Sequence, residues 1–103
     1  MSSLAEIYFN YNKAIRQAAA LESQAQKLRR ISGSDMQDVL QSVHSAWQSE
    51  SSPAYLKKGQ KVQRDVLTTS ENLKRIAQTI RTVAGIIRDA ELQAWRIAHE
   101  RKN

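Results

Sequence analysis

Cysteine is absent from this chain. That excludes a disulfide framework, the thiolate ligand sets of structural zinc sites and a thiol nucleophile. Proline occurs once, at Pro53, and glycine only at Gly33, Gly59 and Gly85. So few breakers in 103 residues leave long stretches free for helix and little material for turns. There is no Gly-rich phosphate loop and no Gly-x-Ser-x-Gly elbow. A chain of two helices also offers no deep pocket of its own, so the sequence reads as a non-enzyme with no cofactor and no small-molecule substrate. The two histidines, His44 and His99, lie far apart, and Asp35, Asp38 and His44 lack the spacing of a helical metal motif; no metal site is expected. No apolar run approaches the roughly 20 residues that span a bilayer. The start, Met1-Ser2-Ser3-Leu4-Ala5-Glu6, lacks the charged start and apolar core of a cleaved leader. The expectation is synthesis in the cytoplasm, with any export using a route without a cleaved signal peptide.

What is present is helical periodicity, twice. Apolar residues fall at Leu4, Ile7, Tyr11, Ala14, Ala18, Leu21, Ala25 and Leu28, and again at Leu73, Ile76, Ile80, Val83, Ile87, Ala90, Ala94 and Ile97. Both rows step by three and four, the period of a helix seam. Folding the chain back on itself pairs them one to one, Leu4 with Ile97, Ala25 with Ile76 and Leu28 with Leu73, in a single antiparallel register. The fold class that follows is all-α, an antiparallel two-helix hairpin forming one domain over 1–103. Helix 1 is expected over about 3–46, a bend over 47–52 and helix 2 over about 53–101. Leu21, Leu28, Leu73, Ile76, Ile80 and Val83 are the expected hairpin core. Two helices bury only a thin stripe, and with no disulfide available a second hairpin is the expected source of stability, giving a four-helix-bundle dimer.

Local features refine this. The first seam falters at Ser32 and Asp35 and resumes, displaced, at Met36, Leu40, Val43 and Trp47. Such a stutter unwinds a seam locally. Around Gly33 the chain is either a kinked continuous helix, favoured by the quick recovery of spacing, or a break with Ser34 or Asp35 capping a new start. Ser52-Pro53 reads as a helix N-cap followed by proline at the first helical position. Ala77, Ala84 and Ala98 lie beside the second seam, where small residues let another helix come close, and Gly85 is expected opposite it.

Net charge is +6, and the excess lies wholly in residues 52–103. Lys74, Arg81 and Arg88 repeat every seven residues outside the seam, and Lys57, Lys58, Lys61 and Arg64 cluster after the bend. Most such runs are solvated faces; the sharper reading is docking to an acidic partner or a membrane surface. Nucleic acid is the weakest reading, because no aromatic platform or known binding module accompanies the charge. Trp95, on the flank of the seam, either covers the end of the bundle or meets a partner.

The stretches Ala46-Trp47-Gln48-Ser49-Glu50-Ser51-Ser52-Pro53-Ala54-Tyr55 and Arg81-Thr82-Val83-Ala84-Gly85-Ile86-Ile87-Arg88-Asp89-Ala90-Glu91, in a chain of this length with two helical arms, resemble the WXG family of small type VII (ESX-type) secretion substrates. The resemblance covers nearly the whole chain. It implies Trp47, Gln48 and Ser49 as the bend and recognition motif, a homodimer or a pairing with a related WXG-like chain, the type VII secretion ATPase as a partner, and a larger effector as a further one. Two positions depart from the family pattern. The bend glycine is Ser49, and the export signal Tyr-x-x-x-Asp/Glu aligns with Ile87 and Glu91, which keeps the acid and lacks the tyrosine. The resemblance therefore implies a secreted substrate or the signal-less member of a co-secreted pair. Alternatives are a cytosolic adaptor for a larger type VII toxin and an unrelated coiled-coil interaction protein.

Overall fold

The computed structural model describes residues 3–46 and 52–101. Every one of them except Ser3 and Arg101 is helical, so the protein is all-α over its described length. Helix α1 spans Leu4–Arg30, passes into a π-helical turn at Ile31–Asp35, and continues as α2 over Met36–Ala46; α3 spans Ser52–Glu100. The start of α1 is capped by Ser3, whose Oγ accepts the Glu6 amide hydrogen at 3.1 Å. A Ser followed three residues later by Glu is the sequence pattern of a capping box, and it supplies an acceptor for one of the amide groups that a helix start leaves without a partner.

At the stutter the chain stays helical by widening. The Met36 amide donates to the Ile31 and Gly33 carbonyl oxygens, and no residue, glycine included, has a positive φ among the described residues. One extra residue in a turn is what a π-helix accommodates. It returns Met36 and Leu40 to the inward row, where both are half-buried, while Ser32 becomes fully buried. Val43, expected in that row, is exposed.

The chain divides into two compact units, residues 1–21 with 75–103, and residues 22–74. In the second unit the direction of the paired segments is explicit. Ser70 Oγ donates to the Ala25 carbonyl oxygen at 2.6 Å, Gln63 Nε2 donates to the Ser32 carbonyl oxygen, and Leu40 packs on Gly59. Partners rise in number along one segment as they fall along the other, so the two run antiparallel. The register differs from the one read in the sequence, in which Ala25 meets Ile76; Ala25 is bonded six residues earlier, at Ser70.

The inward row of α3 is the larger correction. Its buried members are Ser70, Ala77 and Ala84, and α1 and the π turn bury Ile7, Ala18, Ala25 and Ser32. Apart from Ile7 these are alanines and serines, spaced by sevens. Helix axes separate according to the side chains at the contact, and small residues on both helices permit the closest approach. The row Ile76, Val83, Ile87 therefore lies one residue off the contact, with those side chains 49%, 46% and 51% exposed. Ile76 and Val83 are not core, and Ala77 and Ala84 take their places. Leu21, Leu28, Leu73 and Ile80 remain half-buried, at the margin of the close-packed row.

A candidate interaction surface

The displacement of the α3 row decides what each expected site residue does. In the first unit, Arg88 belongs to the same inward row as Ala84. Its guanidinium lies 4.3 Å from the centre of the Tyr11 ring, and its Nε donates to Asp89 Oδ1 at 3.1 Å. That hydrogen bond, reinforced by the charges of Asp89 and Tyr11, holds the guanidinium above its ordinary pKa. An arginine guanidinium stays protonated in proteins in any case, so the ring and the carboxylate meet a cation. Arg81 is half-buried and engaged within the chain. Lys74, in the second unit, is exposed beside a shallow concavity that also holds Glu22, Arg29 and Glu71. The heptad of cations is therefore not a uniform solvated stripe: Arg81 and Arg88 carry intramolecular contacts.

Trp95 falls in the inward row as well and is half-buried. Its indole stacks on the His99 ring, with centroids 3.9 Å apart and planes 27° apart. Near the end of α3, His99 Nδ1 lies 2.8 Å from the Trp95 carbonyl oxygen. A carbonyl oxygen only accepts, so Nδ1 carries the hydrogen in this arrangement.

Ile87 and Glu91, aligned with the degenerate export signal, line one concavity of about 140 Å³ with Ile7, Asn10, Tyr11, Ala14, Ala84 and Arg88. Glu91 is half-buried and Ile87 half-exposed. Trp47, Gln48 and Ser49 lie outside the described residues.

The first unit consequently presents an apolar row that its own helices only half cover. Ile76, Val83, Ile87 and Ile97 are 46–51% exposed, and Ala90 and Ala94 complete the row. Beside it on α3 stand Thr79, Ile86 and Gln93, and beside Ile87 on α1 stands Asn10, all uncharged and all exposed. At 3.6 residues per turn, Val83 and Arg81 are about 160° apart around the helix, so the apolar row and the cationic heptad occupy opposite flanks of the α3 contact. The strip is half-exposed and apolar, with uncharged Thr79, Ile86 and Gln93 along one border and Arg88 and Glu91 near Ile87 on the other, a mixture of apolar centre and polar rim found at protein–protein interfaces.

Sequence reasoning missed several residues that organise this arrangement: Ser70, Gln63, Gly59 and Ser3. Only the Ser3–Glu6 pattern had a local signature. Among the described residues no group of three or more His, Asp or Glu could hold a metal ion, and no helix is long and apolar enough to cross a membrane. No family model matches the sequence, and no curated protein or solved structure matches it either.

Proposed function

We propose that this chain is a WXG-like protein of a type VII secretion system, a substrate or co-secreted partner that acts by protein recognition, with no chemistry of its own. The observation that carries the reading furthest is the half-exposed apolar row Ile76, Val83, Ile87, Ala90, Ala94 and Ile97. It would seat a second helical pair, either another copy or a related WXG-like chain, and complete a four-helix bundle. The paired molecule then offers the Trp47-Gln48-Ser49 segment and the end of α3 to the secretion ATPase. The identity of the system rests on the sequence resemblance, and the apolar row supports the pairing that the resemblance implies.

The residue at the export-signal position favours a second reading. Ile87 belongs to the apolar row, where a partner would cover it, and it has no hydroxyl to be read by an export machine. That suits a cytosolic adaptor that holds a larger effector, or a member of a pair whose mate carries the signal.

Export decides between these. Culture medium from the native host is compared with medium from a strain lacking the type VII ATPase, with a cytosolic marker as lysis control. Appearance outside the cell only when the ATPase is present is the expected result. Retention in both strains sinks the substrate reading, and the adaptor reading then requires an effector to co-purify from the cytosol.

A further inference from the structure

The second unit carries a feature that the proposed pairing does not use. Lys57, Lys58, Lys61 and Arg64 are all exposed, and with Ala54 they line one open depression on α3. The inward residues of this stretch are Leu56, Gly59, Gln63 and Val66, each half-buried. At 3.6 residues per turn the four cations occupy an arc of about 120° pointing away from that inward row and extend about 10 Å along the axis. Asp65 follows Arg64 within the same angular range, yet among the described residues no carboxylate is paired with any of the four. Tyr55 and Val62, each 51% exposed, form the adjoining row with Lys58, at the i, i+3, i+7 spacing of one helix face. The surface is thus a cationic band with an apolar edge.

We propose that this band is a docking site for anionic lipid headgroups at a membrane surface. Three of its four cations are lysines, compact point charges on flexible stems. They suit a diffuse anionic surface better than the bidentate geometry with which arginine reads a defined carboxylate or phosphate partner. Helices that lie in the plane of a membrane combine such a band with aromatic and aliphatic side chains at its edge, which enter the headgroup boundary while the lysine stems reach outward. Tyr55 and Val62 stand where that geometry needs them. Single-stranded nucleic acid would call for a series of aromatic faces for successive bases, and the band has one tyrosine at its margin.

The test is co-sedimentation of the full chain with vesicles of phosphatidylcholine alone and of phosphatidylcholine mixed with phosphatidylglycerol. Binding is expected only to the mixed vesicles and should weaken as salt rises. Each cation is worth about fivefold in partitioning, so replacing all four by glutamine should weaken binding by more than about a hundredfold. A control in which Lys13, Arg16, Lys27 and Arg96 become glutamine has the same net charge and should lose far less. Circular dichroism on both variants confirms that the helices persist. Equal loss in the two variants overturns the site in favour of net charge alone. Absence of binding to the mixed vesicles overturns it outright, as does tighter binding to a polyglutamate peptide or a short nucleic acid, lost in the same variant.

Discussion

Ser70 Oγ reaches the Ala25 carbonyl oxygen at 2.6 Å, a side chain of one helix bonded to the backbone of another. A serine side chain is short, so this bond exists only where the two backbones nearly touch. Both residues are buried. Ala25→Leu should therefore force the segments apart and cost about 1–3 kcal/mol. Ser70→Ala removes one hydrogen bond and should cost no more than about 1.5 kcal/mol, because the Ala25 carbonyl keeps its place in the helical ladder. Urea titration of the two variants gives the comparison; equal midpoints would contradict the close approach.

A paired substitution on α3 tests the displaced row directly. Ala77 is wholly buried, and its neighbour Ile76 is half-exposed. Ala77→Leu should destabilise the fold by about 1–3 kcal/mol, while Ile76→Ser should stay within about 0.5 kcal/mol when measured on dilute protein. The apolar register read from the sequence demands the opposite order, and thermal melts of both variants tell the two apart.

The glycines of α3 should respond with opposite signs. A Cβ on Gly85 meets nothing within 4 Å, so Gly85→Ala should raise stability by about 0.5–1 kcal/mol through the unfolded chain's lost freedom. A side chain on Gly59 runs into Leu40. Gly59→Val should lower stability by about 1–3 kcal/mol. A rise in melting temperature for Gly59→Val would show that Leu40 has room to move.

Pairing through the apolar row predicts a separation of assembly from folding. Val83→Gln with Ile87→Gln removes apolar area from a surface that the first unit leaves open, so helicity in the dilute variant should be preserved. Its mass in solution, by light scattering across a concentration series, should fall towards that of a single chain, with association weakened by at least about tenfold at roughly 1.4 kcal/mol of lost burial. Unchanged association would remove this row from the interface.

These contrasts also explain which parts of the structure were legible in the sequence. On α1 the row from Ile7 to Leu28 is inward throughout, with Ile7, Ala18 and Ala25 buried and Tyr11, Ala14, Leu21 and Leu28 half-buried. It was legible because α1 has no competing apolar row. On α3 two rows compete, one of isoleucine and valine and one of serine and alanine. Hydrophobic periodicity favours the larger residues, but the alanines already committed on α1 select the small row, because only that row completes a close contact. The choice is a property of the pair of helices, and no window within α3 contains it. Gln63 and Ser70 are polar and read as surface until their acceptors, carbonyl groups of a distant segment, are in place. The same one-residue displacement drew Trp95 and Arg88 inward and left Ile87 partly outside.

The widened turn at Ile31–Asp35 has a consequence for chain length. Counting by alternating threes and fours from Ala25 and Leu28 leads through Ser32 to positions 35 and 39, yet the inward residues are Met36 and Leu40. The segment holds one residue more than its periodic pattern requires, and the surplus is absorbed within a single turn. Gly33 is exposed, and a Cβ there would touch nothing within 4 Å, so it is the natural residue to remove. Excising Gly33 should let the segment relax to ordinary α-helix while Met36 and Leu40 keep their facing, and the shortened protein should melt cooperatively at or above the parent's temperature. A one-residue deletion in most helices rotates everything beyond it out of phase; here it would restore the phase, as though an insertion were being undone.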